Sequence, residues 1–326
     1  MYAHSIVKHG LVFGLLTFST STLAEISALN YKADSGDFDL NFYGKLNTTL
    51  QNNRLRKNGS TDKLKSEIDL QGNSSRFGLK GGYDFNPDFS IIYQVEYGFN
   101  FNTDGQSGKR DLTQRNTYLG IDSAYGTIKG GLLDTPLKST SKQVDLFNDN
   151  NADIGSLVRG ENRLDNSFYY TSPRWNGVGV ELSRIINKGA DNEKGLSTSI
   201  NYNKDGLYAA FAFDNSVGGR DIRRVVSAYT INDLTLGFLW QEGEDLSNDD
   251  KEDGYLISLK YQVELTTFKF QYSNSEERFA NGKSTSIGFD RKIDQASKWY
   301  VFYTNQNGDG SGNDGRFTAL GYEIKF

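Results

Sequence analysis

From Phe38 onward apolar and polar residues alternate with period two, in segments of roughly ten residues. Phe38, Leu40, Phe42, Leu46 and Leu50 alternate with Asp39, Asn41, Tyr43, Lys45, Asn47 and Thr49. Phe89, Ile91, Tyr93, Val95, Tyr97, Phe99 and Phe101 oppose Ser90, Gln94, Glu96, Asn100 and Asn102, and Leu320, Tyr322, Ile324 and Phe326 oppose Ala319, Gly321, Glu323 and Lys325. Successive side chains of a strand point to opposite faces, so each segment has one oily and one polar face. Seven short turn signals, such as Asn203-Lys204-Asp205-Gly206 and Asn232-Asp233, alternate with eight longer polar stretches around 51–66, 102–111, 134–160, 186–195, 215–221, 243–253, 275–281 and 306–314. Fifteen connections make sixteen strands, an even number whose ends can meet and close the sheet. The expected fold is all-β: a 16-stranded antiparallel transmembrane barrel. An open sheet would leave unpaired backbone groups facing hydrocarbon.

The competing reading is a soluble β-sandwich, which also alternates. Its buried face would be rich in Val, Ile and Leu, whereas Phe (21) and Tyr (19) dominate here and suit interfacial girdles. A mean hydropathy of −0.59 is too polar for a helical membrane protein but not for a barrel, whose lumen, loops and turns stay wet.

Ahead of the alternation, Lys8 precedes an apolar run from Leu11 to Phe18 and small residues ending at Thr22-Leu23-Ala24. This reads as a cleavable secretory signal at 1–24, because a membrane helix needs roughly 20 apolar residues. A short polar leader, 25–36, would follow, then one barrel domain at 37–326. His4 and His9 lie inside the signal and the chain has no cysteine, so the mature protein has no histidine triad, thiol nucleophile or His/Cys metal site. Paired-carboxylate catalysis stays formally open, but no local pairing points to it, and no enzyme is expected. A net charge of −5 disfavours nucleic acid. The stretch from Asn305 to Gly310 opens like a calcium loop, but Arg316 stands where the bidentate Glu should be, so no metal or cofactor is expected.

The residues resemble the general bacterial porins, the trimeric sixteen-stranded outer-membrane family, across essentially the whole mature chain. The matching pieces are Phe42-Tyr43-Gly44-Lys45, Ser75-Arg76-Phe77-Gly78-Leu79-Lys80-Gly81, Gln114-Arg115-Asn116-Thr117-Tyr118-Leu119-Gly120, Asp134-Thr135-Pro136, Asp145-Leu146-Phe147-Asn148-Asp149, Glu161 to Ser167, and Tyr170-Thr171-Ser172-Pro173. The resemblance implies a Gram-negative outer membrane location and a water-filled channel for passive diffusion of small hydrophilic solutes and ions. It also implies a homotrimer in contact with lipid and lipopolysaccharide, with the 102–111 loop as a latch to a neighbouring subunit, and Phe326 as the signal read by the outer-membrane assembly machinery. The third long loop, 134–160, would fold inward and narrow the lumen. Position by position, Lys45, Arg76, Arg115 and Arg163 would form a basic wall, with Arg159 competing for the last place, and Asp145, Asp149 and Asp153 an acidic loop side. Lys45 and Arg76 lie on the polar phase, which supports this independently: Arg or Lys facing lipid at mid-membrane costs roughly 2–4 kcal/mol.

The chain departs from the family pattern at Leu132, where relatives often carry an arginine, so a thinner basic side and weak cation preference are expected. The alternatives are a substrate-specific channel for sugars or anions and a non-conducting binding barrel. A dense Lys/Arg cluster would favour phosphate, and the loop offers only Lys138 and Lys142.

Overall fold

The computed structural model describes residues 31–32, 37–56, 65–100, 112–186, 195–277, 282–308 and 314–326. The expected signal at 1–24, most of the leader and the 102–111 loop lie outside the described residues.

The strands join one antiparallel sheet. In chain order they are β1 (Phe38–Arg56), β2 (Lys65–Gly72 and Ser75–Asn86), β3 (Phe89–Phe99), β4 (Thr113–Gln114 and Thr117–Ser123), β5 (Gly126–Asp134), β6 (Arg163–Thr171), β7 (Val178–Ile185) and β8 (Leu196–Lys204). The second half comprises β9 (Leu207–Val217), β10 (Arg220–Ile231), β11 (Leu234–Asp245), β12 (Asp250–Val263), β13 (Thr266–Ser275), β14 (Gly282–Lys292), β15 (Ser297–Asn307) and β16 (Asp314–Lys325). Strands β2 and β4 each carry one break, and a further pair of residues, Tyr31–Lys32, lies against Leu40 and Asp39. Each strand pairs with its sequence neighbours, and β16 returns to β1 from Asp314 opposite Arg56 to Lys325 opposite Lys45. Gly44 and Phe326 then exchange two backbone hydrogen bonds, and the Phe326 ring lies beside Phe42 at 5.6 Å. The barrel is closed with sixteen strands, as the alternation predicts.

Burial follows the two phases. On β1, Lys45, Asn47, Thr49 and Gln51 point inward and are buried, while Leu46 and Leu50 face out. On β11 and β12, Leu236, Phe238, Ile257 and Leu259 form part of the outer apolar band. Tight turns close the short end. Asp205 and Gly206 both have positive φ (52° and 77°), the geometry that matches strand twist in a two-residue hairpin. A side chain at Gly206 would meet Thr230 O at 2.6 Å.

Two of the long connections are shorter than expected. The 215–221 stretch is a Gly218-Gly219 turn with both φ positive, and the polar run 243–253 is mostly ladder, with Glu242 opposite Asp253 and Asp245 opposite Asp250. Backbone pairing does not require apolar side chains, so strands continue past the oily band where hydropathy reads loop.

The third long loop does fold inward. Thr135 caps a short helix (Pro136–Thr140) whose first residue is proline, the favoured start. The tip lies on the inner wall of the later strands. Val144, Ile154 and Val158 pack on Ala210, Val226, Ala228, Leu239 and Leu256, and Phe147 and Ala152 pack on Tyr300, Phe302, Phe317 and Ala319. Leu137 joins Ala212 and Ile222. These apolar wall residues lie on the lumen phase, and the loop keeps them from water.

Candidate pore constriction

The loop leaves open one side of the lumen, a cavity of about 670 Å³ between its charged edge and the wall of β2 to β6. Its lining includes Arg76, Arg115 and Arg163 from the wall and Asp149 and Asp153 from the loop. Lys45 and Arg76 are opposite one another in the β1–β2 ladder, which places both inward at one height. Arg115 sits in the break of β4, its N–H donating to Glu96 O at 2.8 Å. Arg163 opens β6 opposite Asp134, the last residue of β5.

Asp149 reaches the wall directly. Lys45 Nζ donates to its Oδ2 at 2.6 Å and Arg76 Nη1 stands 3.6 Å from the same atom. Burial raises the Asp149 carboxyl, but Lys45 and then Arg76 outweigh it and hold the group below the ordinary range. Asp149 has φ 68°, a left-handed conformation fixed by Asp153, whose carboxylate accepts from the N–H of Asp149 (2.8 Å) and of Gly155 (2.7 Å). Arg163 binds Asp134 at 2.9 Å and Asn116 Oδ1 at 2.8 Å. Arg159 turns instead toward the opposite wall, where its N–H donates to Glu277 and its carbonyl accepts from Arg224 and Gln241.

Asp145 stands elsewhere than the sequence reading puts it. Its side chain is buried behind the loop tip, accepting from the N–H of Phe147 and Ile154 and the amides of Asn148 and Gln271, and is absent from the cavity lining. Burial, then the nearby Asp153, pushes its carboxyl up to about 8. A loop segment that folds back on itself needs internal acceptors for its N–H groups, and Asp145 supplies them.

Charges are not segregated as expected. Glu96, on the inward phase of β3, accepts from Arg115 Nε at 2.7 Å and from the Tyr43 hydroxyl at 3.0 Å, and lies 3.5 Å from Arg76 Nε. Lys138 and Lys142 of the loop approach Asp134 at 3.3 and 3.8 Å. On the loop side Lys138 and Lys142, four residues apart after the Thr-Pro helix start, stand around Asp134. That spacing is readable in the sequence. So is Glu96, since it shares the inward phase with Gln94. Behind the loop, Arg224 is fully buried and binds Glu161 Oε1 at 2.7 Å, Gln241 Oε1 at 2.7 Å and the carbonyls of Leu137 and Arg159.

A family model described as Gram-negative porin matches residues 12–311. The major outer membrane protein P.IB of Neisseria gonorrhoeae is 26% identical over 183 residues, covering 53% of this chain and 51% of that one. The porin-like protein L of Photobacterium profundum is 25% identical over 250 residues, covering 71% and 70%. The chain thus spans about half the length of the first of these relatives. Among solved structures, the anion-selective porin from Comamonas acidovorans superposes with TM-score 0.69 at 15% identity, covering 89% of this chain and 100% of that one. Salmonella typhi OmpF in complex with daunomycin gives 0.70 at 16%, covering 91% and 100%. Matched in sequence from residue 12 to residue 311 and folded as the same closed sixteen-stranded barrel, the chain belongs to the Gram-negative porin family and is a protein of the outer membrane.

Proposed function

We propose that this protein forms a water-filled channel through which small hydrophilic solutes and ions diffuse passively, and that Lys45, Arg76, Arg115 and Arg163, with Asp149 and Asp153, form its constriction. The observation that carries this reading is the cavity of about 670 Å³ left between loop and wall inside a closed barrel, lined mostly by ionisable side chains with amides and serines between them. Charged groups at a narrow point sort ions by sign, and no bound cofactor is required for that. Asp145 acts in this scheme by holding the tip that carries Asp149, not by meeting the solute.

The protein works as a homotrimer in this proposal, supported by the trimer form of Vibrio cholerae OmpT, which superposes with TM-score 0.66 at 19% identity. The expected latch at 102–111 lies outside the described residues. The test is planar-bilayer recording of refolded protein in KCl. Ohmic steps in groups of three, with a small reversal potential in a salt gradient, are expected. Folded, heat-modifiable protein that never conducts would refute the channel.

A further inference from the structure

At the base of the loop, three cations surround one carboxylate. Arg163 Nη2, Lys138 Nζ and Lys142 Nζ stand 2.9, 3.3 and 3.8 Å from Asp134. Arg115 lines the same cavity, held by Glu96. Four cations therefore have two acids as direct partners, Glu96 being shared with Arg76, while Lys138 also acts on Asp153 and Glu161. The other acids of the cavity are engaged from behind: Asp149 by Lys45, Asp153 by two loop N–H groups, Glu161 by buried Arg224. Lys142 is the most available donor, its side chain 59% exposed and its contact with Asp134 the longest of the three.

We propose that this end of the constriction is a binding site for a small divalent oxyanion such as hydrogen phosphate, a proposal that rests on the channel reading above. Two guanidinium groups present planar N–H forks that match tetrahedral oxyanions, and two ammonium groups supply movable donors. A divalent ion gains twice the attraction of chloride from the same local excess of charge. Lys138 lies in the Thr135-capped helix and Lys142 four residues on, in the 3-10 turn Ser141–Gln143 that follows it, and both reach Asp134.

The experiment replaces part of the chloride by phosphate at pH 7.5 and constant ionic strength, and records single-channel current. Phosphate is expected to reduce current beyond the dilution of chloride. Half-block should weaken about tenfold in Lys142→Gln, the loss of one charge-assisted hydrogen bond, and return in Lys142→Arg. Lys251→Gln, in an exposed pair with Glu244, should leave the block unchanged. Conducting channels that ignore phosphate, or a block as strong in Lys142→Gln and Lys138→Gln as in wild type, overturn the site and leave the channel standing. Titration calorimetry of the detergent-folded protein with phosphate reads the site independently of conduction: binding lost in Lys142→Gln supports it, and no binding by wild type overturns it.

Discussion

The long loop has two faces, and they are built on opposite chemistry. Toward β9 to β16 it is apolar and dry: Val144, Ile154, Val158 and Phe147 are at most 2% exposed, and fully buried Arg224 reaches from the wall to Glu161 at the cavity's edge. Toward β2 to β6 it is charged and lines open space, with Asp149, Lys138 and Lys142 across from Arg76, Arg115 and Arg163. In the proposed channel, one face holds position and the other faces the solute. A channel built this way can vary wall charges such as Arg115 without touching the apolar contacts that dock the loop.

The largest effect should come from breaking the dry face at its charge. Arg224→Met leaves Glu161 buried without its cation, which costs roughly 3–5 kcal/mol of loop docking. The barrel should still fold and shift in electrophoresis, while open-channel noise rises and the loop becomes a protease target. A quiet, protease-resistant Arg224→Met channel would mean that the apolar contacts suffice alone.

A smaller effect should follow pH. The Asp145 carboxyl is raised to about 8 when the loop is docked, against an ordinary value of 3.8 when it is released. The docked state therefore holds its proton longer. This contribution to docking is full below about pH 4, falls as pH rises toward 8, and is constant above that. Noise in the wild-type channel should increase across this window, and Asp145→Asn should remove most of the slope. An unchanged slope would assign the titration to another group.

The smallest effect belongs to the wet face. Asp149→Asn removes one charge; for an ion passing roughly 8 Å away in a water-like medium this is about 0.5 kcal/mol, hence about a twofold shift of permeability toward anions. Loop retention, read by proteolysis, should not change. Loss of retention would show that the Lys45–Asp149 contact anchors the loop as well as filtering.

Much of this architecture is legible in the sequence. The closed barrel follows from period-two alternation, and the inward placement of Lys45 and Arg76 from phase, whereas Arg115 sits in a break of β4 that phase does not reach. The docking of the loop is not legible, although a clue stands in the strands. Leu239 and Leu256 are directly opposite each other on the lumen phase, where a wetted barrel has no use for leucine. Their partner Ile154 lies far off along the chain, and local periodicity carries no information about contacts at such separation. Asp145 is misplaced by sequence reasoning for a related reason. Within a loop, type and charge identify acids, but only the fold decides which face water and which accept N–H groups from the loop itself.

If one face of the loop is wet and the other dry, the two must differ in access to the permeation path, and cysteine accessibility reads that difference because the chain has no cysteine of its own. Asn148→Cys lines the cavity, and Val158→Cys lies on the dry face at 2% exposure. A charged, water-soluble thiol reagent added during recording should block Asn148→Cys channels within seconds to minutes and leave Val158→Cys channels unaltered. Equal modification of the two, or block at Val158→Cys alone, would contradict the arrangement.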